Sequence, residues 1–305
     1  MKITIIGAGN VGSSVTYALI LREIANEIVL VDINEDLLYA KELELTQSIA
    51  ALNLNIDLLC TKDYTYTKNS DIVLFSAGFA RKDGQNREEL LQLNTSIMLD
   101  CAKKIKDFTE DPLFIILTNP VDFLLNTLYE SGIFSSKKII AMAGVLDNAR
   151  FKYELAKKLN VKMSSVDTRL IGFHNDDMVL VKSYASVKNK NISEFLNEEE
   201  FDDLENEVKT GGAKVIKHLK TSAYLAPASA CIRMLESIRS GEFLPMSVIL
   251  HGEFGVQNKA LGVMARLGLE GVIEIMKMDL SSQEKDKLEK SLIKYQYKGG
   301  INEYT

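Results

Sequence analysis

The chain has 305 residues, 46% hydrophobic and 26% charged, with a formal net charge of −6; this suits one large domain or two moderate ones and excludes a disordered or fibrous chain. A net negative charge with no concentrated basic face argues against a nucleic-acid partner, because backbone phosphates demand clustered lysine and arginine. Cys60, Cys101 and Cys231 lie too far apart for a zinc ribbon or a disulfide framework, so no metal site is expected.

The first residues run into a strand without a signal-peptide pattern, and no apolar stretch reaches the length of a bilayer; a cytoplasmic protein with no membrane partner is expected. Residues 2–6 are a short β-branched run, Gly7-Ala8-Gly9-Asn10-Val11-Gly12 follows, and residues 11–22 have helical periodicity. Strand, glycine turn and helix together cradle a phosphate. The first glycine permits the turn, the second admits a pyrophosphate against backbone amides, and the third lets helix and strand pack closely. The next strand, residues 27–31, ends at Asp32, twenty positions past Gly12, where a carboxylate accepts both hydroxyls of an adenosine ribose. Ile33 follows, and no arginine stands nearby to hold a 2′-phosphate, so NAD is favoured over NADP. Without Asp32 the glycines would mean only a tight turn.

Further strand-like runs at 71–76, 113–117 and 139–142 alternate with helical stretches, which implies a doubly wound parallel sheet covered on both faces. Ligands of such a sheet sit beyond the carboxyl ends of its strands. The glycine turn, Asp32, Ala77-Gly78, Thr118-Asn119-Pro120 and Gly144 all fall there. Between two of these strands lies Ala80-Arg81-Lys82-Asp83-Gly84-Gln85-Asn86-Arg87, with two arginines six residues apart. Planar, permanently charged forks suit a substrate with two carboxylates; a solvated basic turn is the plainer reading.

Asp147 and Arg150 stand three apart at the start of a helix reaching residue 159 and so share a face. A carboxylate there can hold an imidazole in one tautomer while the arginine takes a substrate carboxylate; an acid in a first helical turn also commonly serves the backbone amides alone. Residues 166–173 and 178–185 read as adjacent antiparallel strands, with His174 at the polar turn between them. Of the three histidines, His174 is best placed to move a proton near neutral pH, whereas His218 lies on a lysine-rich helical face and His251 opens a glycine-containing turn. Helices at 198–219 and 223–238, apolar strands near Ser247 and Gly262, and a charged amphipathic helix at 281–295 complete the chain. The fold expected is α/β, a Rossmann-type domain over residues 1–146 followed by an α+β catalytic domain with antiparallel strands over 147–305. No linker separates the two.

Gly7 to Gly12, Asp32, the 81–87 loop with Asn94 beyond it, Thr118-Asn119-Pro120-Val121-Asp122, Gly144 to Arg150 and His174 occur in the order and spacing of the lactate/malate dehydrogenase family, which the chain resembles over essentially its whole length. Arg81 looks like the arginine of malate dehydrogenases, where lactate dehydrogenases usually carry glutamine, and Ser222 to Pro227 also resembles the lactate-dehydrogenase-like group of malate dehydrogenases. The resemblance implies an NAD-dependent malate dehydrogenase that reversibly oxidises (S)-malate to oxaloacetate, and a homodimer or homotetramer. It implies His174 as proton acceptor, Asp147 as its orienting partner, Arg150 on the proximal carboxylate and Arg81 on the distal one. Arg87 would polarise the carbonyl or alkoxide oxygen, and Asn119 would touch both substrate and cofactor. Gly7, Ala8, Gly9, Asn10, Val11, Gly12 and Asp32 would hold the dinucleotide, with Asn94, Leu117, Thr118 and Asn119 on the nicotinamide side.

Four residues depart from the family's usual ones: Phe173 and Asn175 flank the histidine, Asn148 replaces a serine or threonine, and Asp83 a frequent proline. Asparagine at 175 tolerates the positive φ of the glycine it replaces, so the turn is expected to survive. The rival readings are an L-lactate or broader 2-hydroxyacid dehydrogenase and a catalytically silent NAD-binding protein, since fold does not guarantee chemistry. A silent protein needs neither His174 with Asp147 nor three arginines.

Overall fold

Strands that are apolar on both faces cannot lie against solvent, and they build the middle of the sheet. The computed structural model describes residues 1–79 and 87–297, the side chains of 87, 88, 296 and 297 excepted. Its first half holds β1 (Lys2–Ile6), β2 (Glu27–Val31), β3 (Asp57–Thr61), β4 (Ile72–Phe75), β5 (Leu113–Ile116) and β6 (Ile139–Ala141). Between and after them run α1 (Asn10–Leu21), α2 (Glu35–Ala51), α3 (Arg87–Lys106), α4 (Val121–Glu130) and α5 (Gly144–Lys158). The strands lie parallel in the order β3-β2-β1-β4-β5-β6, so the connections reverse direction between β1 and β4 and open a crevice there. Strand β3 is not among the sequence-expected runs; at the sheet edge its side chains are only partly buried, which weakens its apolar signal.

The second half contributes β7 (Val166–Asp167), β8 (Leu170–Ile171), β9 (Val179–Leu180), β10 (Ser186–Val187) and β11 (Lys190–Asn191), all two residues long. It continues with α6 (Glu198–Leu219), α7 (Leu225–Ser240), β12 (Leu244–His251), β13 (Gln257–Gly268), β14 (Gly271–Ile275) and α8 (Ser282–Tyr297). Strand β12 pairs antiparallel with β6 through Ser247↔Ala141 and Val248↔Ile140, and β13 and β14 follow it, extending the sheet to nine strands.

The long antiparallel pair expected around His174 is corrected to a two-rung ladder, Leu170↔Leu180 and Ile171↔Val179. Val166 and Asp167 pair instead with β10. The cause is competition for backbone donors: Glu284 of α8 accepts from the Ser183 amide at 2.9 Å and the Ser183 hydroxyl at 2.8 Å, and residues 182–184 close into a 3₁₀ turn. What replaces the missing ladder is an anchor to β13. Gly172 and Gly262 exchange backbone hydrogen bonds at 2.8 and 3.2 Å, an approach that a Cβ on Gly262 would block by colliding with the Gly172 carbonyl. Among the described residues no helix is long and apolar enough to cross a membrane.

Candidate active site

A cleft of about 550 Å³ opens beyond the carboxyl ends of β1, β4 and β5. Gly9, Asn10 and Val11 line one side, Leu117, Thr118 and Asn119 another, and His174 enters from the second half of the chain with Tyr224 and Pro227 nearby. The glycine turn has the shape a dinucleotide needs. Gly7 takes φ 103, which side chains other than glycine rarely adopt. A Cβ on Gly12 would collide with the Gly7 carbonyl, whereas one on Gly9 would meet nothing, so the second glycine leaves its space to the ligand. Asp32 accepts from the Ala8 amide at 2.7 Å and the Asn34 amide at 3.0 Å. These bonds aim its carboxylate at the turn and leave each oxygen a further lone pair for a ribose hydroxyl. The residues present fit NAD.

Asn94 is 1% exposed and does not line the cleft. Its carboxamide accepts from the Phe79 amide at 2.8 Å and donates to the carbonyls of Phe79 and Asn119 at 3.2 and 3.3 Å. It therefore joins the chain after β4 to the chain after β5. Thr118 adds a second tie, its hydroxyl donating to the Ala77 carbonyl at 2.8 Å. Together they set the position of Asn119, whose peptide bond to Pro120 is cis.

A histidine–carboxylate–guanidinium cluster is built from α5 and the turn after β8, with Asp122 of α4 beyond it. Asp147, 1% exposed, receives His174 Nδ1 on Oδ2 at 2.5 Å and Arg150 on Oδ1 at 2.8 Å. Since a carboxylate accepts, Nδ1 carries the hydrogen and Nε2 is the nitrogen left for substrate. Burial works against a charged ring, but the charge and hydrogen bond of Asp147, with Asp122 beyond, hold His174 above the ordinary imidazole range. His218 is exposed, and His251 bonds to Ser136 and Asn258 on the surface.

Arg150 lies on Asp147 with its side chain 22% exposed. Across from it, Gly211 and Gly212 of α6 leave its guanidinium room: a Cβ on Gly212 would lie 3.3 Å from Arg150 Nη2. Asn148 lines a separate cavity with Thr168 and Arg169. Asn175 does not take positive φ; its Oδ1 accepts from the Asp177 amide at 2.7 Å, and this side-chain turn replaces the glycine geometry. Phe173 stacks on Tyr295 of α8, ring centroids 3.8 Å apart. Arg81 lies outside the described residues, as does the side chain of Arg87, whose backbone opens α3.

Three residues have a place that the sequence reading does not give them, Asp122 standing there only as part of a motif. Asp122, 6% exposed, accepts from the His174 amide at 2.8 Å and the Ser247 hydroxyl at 2.5 Å, partners too distant in sequence for any spacing rule. The Gly211-Gly212 pair does carry a signal, because two glycines inside a long helix cost about 1 kcal/mol each and call for a reason.

The profile described as lactate/malate dehydrogenase, NAD binding domain, matches residues 1–141, and that described as lactate/malate dehydrogenase, alpha/beta C-terminal domain, matches residues 144–298. The chain is 98% identical over 299 residues, 98% of its length and 100% of the relative's, to the probable malate dehydrogenase of Campylobacter jejuni subsp. jejuni. Among solved structures, the malate dehydrogenase from Aeropyrum pernix superimposes with a TM-score of 0.92 at 31% identity, covering 97% of this chain and 96% of that one. The lactate dehydrogenase from Cryptosporidium parvum, complexed with lactic acid and nicotinamide adenine dinucleotide, reaches a TM-score of 0.92 at 30% identity, with coverage of 97% and 96%.

Proposed function

The chain belongs to the lactate/malate dehydrogenase family, and on that premise we propose that it is an NAD-dependent malate dehydrogenase interconverting (S)-malate and oxaloacetate. The observation that carries the reading is the buried Asp147 holding His174 on one oxygen and Arg150 on the other, beside a cleft that suits NAD. Residues 1–146 hold the cofactor and residues 147–305 supply the proton transfer. When bound, NAD would supply the acceptor for the hydride that leaves substrate C2. Arg150 pairs with the carboxylate next to C2, and Asn119 orients the reacting hydroxyl. His174 Nε2 takes the hydroxyl proton as C2 loses its hydride, and Asp147 stabilises the imidazolium so formed. Arg87 stabilises charge on the C2 oxygen, and Arg81 pairs with the distal carboxylate. In the reverse direction the imidazolium returns its proton to that oxygen.

Arg81 decides between malate and lactate, because the fold is shared by both kinds of relative. A closed site leaves either a distal carboxylate or a guanidinium unpaired when the substrate is wrong, and an unpaired buried charge is costly. The test is NADH loss followed in parallel with oxaloacetate and with pyruvate. Faster turnover with oxaloacetate is expected; preference for pyruvate would make the protein a lactate dehydrogenase, and no turnover with either would leave an NAD-binding protein. The enzyme works in the cytoplasm, in keeping with three free cysteines, and assembles as a homodimer or homotetramer. Apolar Tyr17, Leu21, Tyr39 and Leu43 exposed on α1 and α2 support the assembly, which light scattering in solution tests.

A further inference from the structure

Asp122 sits in the first turn of α4, buried, with both carboxylate oxygens engaged: Oδ2 accepts the His174 backbone N–H at 2.8 Å and Oδ1 the Ser247 hydroxyl at 2.5 Å. Two neutral donors do not call for a charge. An asparagine could serve both, since its carbonyl oxygen accepts from an amide and its NH₂ donates to a hydroxyl. A buried carboxylate that no described residue pairs in a salt bridge is costly, and a cation formed beside it offsets that cost.

The charges around His174 identify that cation. Asp147 is shared between His174 at 2.5 Å and Arg150 at 2.8 Å, so once the ring is protonated one carboxylate faces two cations, and Asp122 is the second carboxylate on the His174 side. The remaining charged groups nearby do not supply another: Asp177 is taken by Lys294 of α8, and Asp176 is exposed. We propose that Asp122 is a positioning residue for the proton transfer, which fixes the backbone of His174 and adds to the stabilisation of the imidazolium that Asp147, shared with Arg150, supplies. Ser247 is its accessory, the hydroxyl whose hydrogen bond favours the ionised form of Asp122 against burial. The coupling is seen from both sides. Burial holds the proton affinity of Asp122 above the ordinary carboxylate range, with His174 drawing it back down, and Asp122 in turn raises that of His174.

This inference rests on the acid–base role given to His174 above, and its test separates the two. Asp122→Asn keeps both hydrogen bonds and removes the charge. In the variant the pH at which oxaloacetate reduction is lost, and at which malate oxidation appears, moves to lower pH by about half a unit or more, while the NADH dissociation constant is unchanged. Asp122 acting only as scaffold would lower the plateau and leave the limb of the profile where it is in the parent; that result overturns the proposal. Should the asparagine variant fail to fold, Ser247→Ala is read instead: loss of the hydroxyl favours protonated Asp122, and the limb moves in the same direction, an unmoved limb again overturning the proposal. The same limb can be followed with pyruvate, so an error about the substrate and an error about Asp122 give different results.

Discussion

The proton transfer proposed for His174 rests on a ring held at Nδ1 by Asp147, with Nε2 left for substrate, and a single side chain tests it. His174→Asn keeps the cleft and NADH binding but lowers turnover with oxaloacetate on the order of 10²–10⁴-fold; stopped-flow and fluorescence titration check the two halves of that statement. The raised proton affinity of the imidazole sets the pH dependence. Oxaloacetate reduction needs the charged ring, which a raised pKa preserves to higher pH. The kcat/KM for oxaloacetate at saturating NADH therefore keeps more than half of its low-pH plateau at pH 6.5, the ordinary value, and falls as pH rises through the raised pKa; a profile already half lost at 6.5 would contradict the geometry. Malate oxidation, needing the neutral ring, falls as pH drops through the same group. Arg81→Gln moves the ratio of kcat/KM values at least about tenfold from oxaloacetate toward pyruvate, because the distal carboxylate loses its partner. A ratio within about twofold of the parent's would remove Arg81 as the discriminator. Asp147 and Arg150 were legible as a pair because three residues on a helix share a face. Asp122 was not, since its partners lie 52 and 125 residues away.

At the scale of elements, each part of the site is held by something it does not touch in sequence. Helix α6 gives up helix propensity at Gly211 and Gly212 to make room for Arg150 of α5. Gly212→Val places branched carbons against the guanidinium and raises the KM for oxaloacetate about tenfold or more, with NADH affinity unchanged; steady-state kinetics and titration decide it, and an unaltered KM would show that the pair serves packing alone. Helix α8 holds the His174 turn from outside. Tyr295 stacks on Phe173, Lys294 pairs with Asp177 at 2.7 Å, and Glu284 takes the Ser183 donors. That helix reads from its sequence as a charged amphipathic surface element. Its charged face is in fact partly inward, which periodicity cannot reveal because lysine and glutamate look alike whether they meet water or each other. Phe173 likewise looks out of place until Tyr295 stands opposite it.

For the whole molecule, one nine-stranded sheet runs through both halves. One core cluster includes Ile3 and Val15 of the first half with Val248 and Leu288 of the second, so neither half buries its apolar surface alone. Calorimetry of the full chain is therefore expected to show one cooperative transition. A ligand at 100 times its dissociation constant adds about 2.7 kcal/mol, and NADH at that excess raises the whole transition by several degrees. Two transitions, with only one responding to NADH, would show that the shared sheet does not couple them.

What the sequence determined by itself is local and periodic. Gly7, Gly9, Gly12 and Asp32 lie within one βαβ unit, alternating apolar runs specify parallel strands, and a helical turn places Asp147 with Arg150; each depends on backbone geometry over a few dozen residues. The tertiary structure alone decided that β12 would close onto β6, that Glu284 would draw Ser183 out of a ladder, and that Asp122 would lie behind His174. These depend on which surfaces meet after the chain collapses. A buried acceptor takes whichever donor the packing brings to it, and no spacing in the chain encodes that choice.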